Sequence, residues 1–274
     1  MHINWIHLAL TAIVVIGLLL FFSNRIINFF IFYPQSRFDS LPPSWGLQYE
    51  DIFFKSGDGI ELHGWFFPGR NGLPIILFCH GNAGNISHCL PVVEQMNERN
   101  LSVFIFDYRG YGKSKGSPYE TGIYKDGLAA YDQIIKSKGI PPEDVVPFGH
   151  SLGATVAIEI ALKREVRALI LESAFTSLKD MAKTIFVFRP FAPLLGPNYN
   201  NVEKIRHITK PKLIIHGEQD EIVPFQLGKK LFDASGQPKF FLPLAGAGHN
   251  DVHLIGGERY ADIIAAFAKD LRVP

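Results

Sequence analysis

Cysteine is almost missing from this chain: Cys79 and Cys89 are the only two among 274 residues. Two thiols cannot build a disulfide framework, and their spacing matches no metal site, so both are expected to be plain core thiols. Charge of one sign is lacking as well. Lys and Arg number 27 against 26 Asp and Glu, a net charge of +1, which leaves no electrostatic footprint for nucleic acid. Trp5, Trp45 and Trp65 form no stacking platform, and no basic stripe lies beside them. No internal repeat or low-complexity segment stands out.

What the chain does have is a long apolar run at its start. From Trp5 to Phe22 (WIHLALTAIVVIGLLLFF) no residue is charged apart from a neutral or protonated His7. A bilayer core needs roughly 20 residues of helix, so residues 1–33 are expected to be a membrane anchor. A cleaved signal peptide would want Lys or Arg before the run and a small-residue cleavage site after it, and neither is present. Arg25 and Arg37 follow the run and none precedes it, which puts the rest of the chain on the cytoplasmic side. Residues 34–46 (PQSRFDSLPPSWG), proline-rich and without periodicity, are expected to be a linker.

Residues 47–274 have the pattern of one α/β domain. The stretches LQYEDIFFKS and IELHGWFFPG flank Asp58-Gly59 and predict an antiparallel hairpin. Short apolar runs then recur at 74–79, 101–106, 145–148, 167–171, 212–216 and 239–243. Helix patterns lie between several of them. Tyr124, Leu128, Tyr131 and Ile135 make one stripe, and Tyr260, Ile263, Ile264, Phe267 and Leu271 make another. Continuous apolar strands alternating with helices predict a mostly parallel, eight-stranded sheet covered on both faces.

In such sheets, sites form beyond the carboxyl ends of the strands. There the chain places His80-Gly81-Asn82-Ala83-Gly84-Asn85, Asp107–Gly112, Gly149-His150-Ser151-Leu152-Gly153, Glu172-Ser173, Gly217–Asp220 and Gly246–Asp251. A serine between two glycines where a strand becomes a helix is how a nucleophile is displayed. An alcohol needs a base within hydrogen-bond reach, and the base needs an orienting acid. His249, in the loop after the last strand, is the expected base, and Asp220 the expected acid. Glu172 and Asp251 are the fallback acids: Glu172 comes one strand early, and Asp251 is close to His249 in sequence. For the oxyanion, the backbone amides of Leu152 and Asn82 are expected to converge.

FCHGNAGN, FDYRGYGKSKG, PFGHSLGA, HGEQDEIVP and AGAGHND, in this order, resemble five motif regions of the α/β-hydrolase superfamily, over about residues 47–272. More narrowly the chain is similar to membrane-anchored α/β-hydrolase-domain proteins, some eukaryotic members of which are depalmitoylating thioesterases. The resemblance implies a serine hydrolase with Ser151, Asp220 and His249 as triad, Asn82 and Leu152 as oxyanion hole, and no cofactor. The resemblance does not fix the substrate; a small cap and an anchor beside a bilayer favour an apolar acyl substrate, lipid-like or carried by an acylated protein.

The insertion at residues 174–211 is the only room for a cap. Its middle, AKTIFVFRPFAPLLGPNYNN, is rich in Phe, Leu and Pro, which suits an apolar lid over an acyl pocket. Two other activities compete. A serine aminopeptidase-like amide hydrolase would want an acidic cluster for a substrate amine, and the cap region holds only Asp180 and Glu203. An inactive membrane-bound interaction module would show a damaged site. Gly112-Lys113-Ser114 is no phosphate loop, because the required first glycine is Asp107. Asp107 and Arg109 are expected to be structural, and His249 and His253 lack a third metal ligand.

Overall fold

The structure, a computed structural model, describes residues 7–11, 28–196 and 198–273. Most of the Trp5–Phe22 run therefore lies outside the described residues. No helix among those described is long and apolar enough to cross a membrane, so the transmembrane helix expected within residues 1–33 is not supplied by the structure.

The strands are β1 (Tyr33–Pro34), β2 (Glu50–Lys55), β3 (Glu61–Phe67), β4 (Ile75–Cys79), β5 (Ala83–Gly84), β6 (Ser102–Asp107), β7 (Val145–His150), β8 (Leu169–Glu172), β9 (Lys212–Gly217) and β10 (Lys239–Leu244). Eight of them form one sheet in the order β10-β9-β8-β7-β4-β6-β3-β2. Pairing is parallel from β10 through β6, and antiparallel for β6 with β3 and for β3 with β2. The expected hairpin and mostly parallel sheet are both present.

The helices are α1 (Leu90–Glu98), α2 (Glu120–Lys138), α3 (Gly153–Lys163), α4 (Leu178–Thr184), α5 (Asn201–Lys204), α6 (Phe225–Ala234) and α7 (Val252–Asp270). Alternate side chains of each strand point to opposite faces, and so two cores form. Ile75, Leu77 and Cys79 join Ile123, Tyr131 and Val156 on one side. Ile76 and Phe78 join Val93, Met96, Ile264 and Phe267 on the other. The stripe expected on α2 is offset. Tyr124 and Tyr131 are buried, but Leu128 and Ile135 only partly, and the deepest positions are Ile123, Gly127, Ala130 and Ile134. The reason is the close crossing with α3, where a Cβ on Gly127 would come within 2.2 Å of Val156.

Most of residues 34–46 are exposed, with Pro42 buried and Phe38 edge-on against Trp65 at a centroid distance of 4.9 Å; just before them Phe32 is buried. Pro42–Trp45 form a 3-10 turn. Most consequential is a second, two-stranded sheet, in which β1 pairs in parallel with β5.

Arg109 explains why the loop after β6 holds its shape. Its buried guanidinium meets Asp126 of α2 at 2.8 Å and Asp58 of the hairpin turn at 2.9 Å. One cation thus ties three elements together.

Candidate active site

Strand register decides what meets at the carboxyl edge. Cys79 pairs with Gly149, His150 with Glu172, and Leu244 with Gly217. The loops after β4, β7, β9 and β10 therefore open at one level. Ser151 turns from β7 into α3 with φ of +53°, a left-handed conformation that costs a non-glycine residue about 1–3 kcal/mol. The flanking glycines are there for space. A Cβ on Gly149 would lie 2.4 Å from the Gly153 carbonyl, and one on Gly153 would lie 1.9 Å from the Cys79 carbonyl.

Ser151 Oγ stands 3.0 Å from His249 Nε2, and His249 Nδ1 stands 2.8 Å from Asp220 Oδ2. All three are buried. With Nδ1–H directed at the carboxylate, Nε2 is left to accept the serine O–H. The other Asp220 oxygen accepts the Ile222 and Val223 amides at 3.0 and 2.7 Å. Burial by itself would raise the Asp220 carboxyl, but hydrogen bonds from His216 and His249 outweigh it and hold the group far below the ordinary carboxylate range.

The fallback acids are engaged elsewhere. Glu172 receives His150 Nδ1 at 2.9 Å and the Tyr260 hydroxyl at 2.6 Å. Burial pushes its carboxyl up, but the hydrogen bonds and charges of His150, Tyr260 and His253 together bring it below the ordinary carboxylate value. Asp251 accepts the Gly248 amide at 2.7 Å and so shapes the histidine loop.

Asn82 and Leu152 both border the cavity that Ser151 faces. Asn82 is fixed from three directions. Its carbonyl accepts the Tyr33 amide at 3.0 Å and the Tyr111 hydroxyl at 2.7 Å, and its side chain donates to the Ile31 carbonyl at 3.0 Å. Neither its own amide nor that of Leu152 donates to an acceptor among the described residues.

The cavity measures about 520 Å³, within the range of roughly 300–1,000 Å³ usual for small-molecule sites. The cap contributes Leu178, Met181, Ile185, Phe188 and Phe191, the loop after Asp220 contributes Ile222 and Val223, and no charged residue lines it among those described. Phe30 and Ile31 also line it. They were not legible as site residues, since in sequence they merely continue an apolar N-terminus. His216 is a further omission; it lies 3.3 Å from Asp220 and, inside the run KLIIH, carries no signal of that role.

The chain is 37% identical to the α/β-hydrolase domain-containing protein WAV2 of Arabidopsis thaliana, over 80% of this chain and 78% of that one. The chain belongs to the α/β-hydrolase family. The hydrolase is also 35% identical to an uncharacterised protein of Mycobacterium tuberculosis, over 97% of this chain and 95% of that one. It is 33% identical to the Schizosaccharomyces pombe protein bem46, over 88% and 85%. A family model described as serine aminopeptidase, S33, matches residues 73–204. The Pyrococcus furiosus esterase Pf2001 superposes on this hydrolase with a TM-score of 0.71 at 20% identity, covering 86% of this chain and 97% of that one, and so shares its fold.

Proposed function

We propose that this hydrolase cleaves carboxylic esters or thioesters of apolar acyl groups through a Ser151 acyl-enzyme. The observation that carries this reading is a strained serine, 3.0 Å from a histidine nitrogen, facing a cavity without a charged wall. His249 Nε2 takes the Ser151 proton as Oγ attacks the acyl carbonyl carbon. The Asn82 and Leu152 amides receive the oxyanion, and the proton passes to the departing alcohol or thiol. Water, activated by the same histidine, then releases the acid. Asp220 stays ionised throughout and stabilises the imidazolium. No cofactor enters this cycle.

The matching family model is named for an amide-cleaving activity, which is the rival. An aminopeptidase must hold a substrate ammonium, and the cavity offers it no carboxylate among the described residues. The Trp5–Phe22 run would tether the hydrolase to a membrane, and the arginines after it favour the cytoplasmic face. A lipid or an acylated protein suits that location.

The test is labelling with a fluorophosphonate, wild type against Ser151→Ala, followed by p-nitrophenyl esters of increasing chain length and an aminoacyl anilide. Labelling lost in the variant, with rates rising along the ester series, supports the proposal. An unlabelled wild type, or preference for the anilide, overturns it.

A further inference from the structure

The residues around the mouth of the cavity are apolar on the outside as well as the inside. Phe186 is 89% exposed, Phe29 75% and Val187 68%, with Phe30 and Phe191 also in the open. They come from two distant parts of the chain, the cap and residues 28–31. Phe30 and Phe188 join these parts edge to face, with ring centroids 5.9 Å apart. A contiguous patch of this kind, rimming a cavity, marks a surface meant to be covered.

Two facts identify the cover. The Trp5–Phe22 run ends seven residues before Phe29, so the patch begins where the longest apolar stretch of the chain leaves off. Charge agrees. Residues 1–38 and 181–202 contain no Asp or Glu, and they carry Arg25, Arg37, Lys183 and Arg189, with Lys183 reaching back to Asp180 at the border. Aromatic side chains flanked by cations and free of carboxylates suit an anionic lipid interface. A second copy of the chain or a soluble protein would not explain why the patch adjoins that run.

We propose that the cap tip around Phe186 and Val187, together with Phe29, seats this hydrolase on an anionic bilayer surface, so that the cavity opens into the lipid rather than into water. The proposal rests on the ester-cleaving reading for its substrate, but the docking itself does not. Acyl groups would enter between Phe30 and Phe188 directly from the leaflet. An apolar chain would then never cross bulk water on its way to Ser151.

The test uses the full chain inserted in vesicles of phosphatidylcholine and phosphatidylserine. An environment-sensitive fluorophore is attached at Phe186→Cys, and for comparison at Lys136→Cys, at the far end of α2. The unsubstituted chain, treated identically, corrects for Cys79 and Cys89. Lipids brominated on the acyl chain should quench the label at 186 and leave the one at 136 bright. Turnover is then compared on a vesicle-embedded long-chain ester and on soluble p-nitrophenyl butyrate. Phe186→Asp and Phe29→Asp should each slow the embedded ester by about tenfold or more, as expected for losing one buried aromatic anchor, and leave the soluble ester within about twofold. An unquenched label at 186, equal effects on the two esters, or a label shielded by a cross-linkable second copy in detergent overturns the docking. A wild type that cleaves neither ester overturns the proposed function, and the quenching still decides the docking.

Discussion

Ser151, Asp220 and His249 hang from short loops after β7, β9 and β10, each strand held in the ladder of one sheet. The mouth above them is made of other material: a 3-10 turn at Arg189–Leu194, a seven-residue helix, and the two-residue pairing of β1 with β5. At the sheet edge, backbone register fixes side-chain positions to within hydrogen-bond tolerance. At the mouth, apolar side chains fill space and few polar ties set direction. Bond-making chemistry needs the first kind of construction. Accommodating acyl groups of different length needs only the second.

This contrast can be broken from its strongest side first. Ser151→Ala should lower kcat on an ester by on the order of 10⁶, read as lost turnover and lost fluorophosphonate labelling. Asp220→Asn should cost about 10⁴, because the wrong tautomer of His249 is then favoured. Glu172→Gln should change kcat by less than about tenfold, since that carboxylate serves His150 and Tyr260 and not the base. A pH–rate comparison of the two variants checks the assignment.

Away from the edge, effects should move from rate to stability. Arg109→Ala strands the buried Asp126 carboxylate, and should lower unfolding free energy by about 3–5 kcal/mol while turnover per folded molecule stays unchanged. Chemical denaturation with activity measured in parallel separates the two. His80 gives a pH-dependent case. Burial holds its imidazole down at about 4, despite Asp107 nearby, so the folded protein keeps it neutral where the unfolded chain would protonate it. Its contribution to stability is therefore intact above about pH 6.5 and lost as pH falls toward 4, up to about 3 kcal/mol in total. Denaturation midpoints across that window should flatten in His80→Gln relative to wild type.

The smallest effect should come from the mouth. Asn82→Ala removes the side-chain bond to Ile31 but keeps the amide. Losing one such bond costs about 1 kcal/mol, so kcat should drop about fivefold with KM little altered. A drop as large as that of Asp220→Asn would mean that the mouth is as exacting as the edge, and the contrast would fail.

The same contrast explains what was legible in the sequence. Buried strands print a continuous apolar run, and Ser151 and Asp220 follow such runs beside glycine, while His249 follows the apolar but only partly buried β10. So the sheet, the hairpin and the grouping of Ser151, Asp220 and His249 could be read directly. A two-residue strand prints nothing. Tyr33 and Gln35 contribute backbone N–H groups, which almost every residue has, and hence the pairing of β1 with β5 left no mark in the sequence. The stripe on α2 was misplaced by one position because Gly127 sits at the helix crossing, and a residue without a side chain cannot announce burial. Phe30 and Ile31 were hidden by their neighbours, since an apolar residue in an apolar stretch carries no sign of its second duty.

The pairing of β1 with β5 reaches further than packing. The Tyr33 amide holds the Asn82 carbonyl, and the Gln35 amide holds that of Gly84. A cut just after Gln35 would therefore reach the loop beside Ser151, though the severed bond lies far from it in sequence: with the departing segment would go two of the three partners of Asn82, and only the Tyr111 hydroxyl would still hold it.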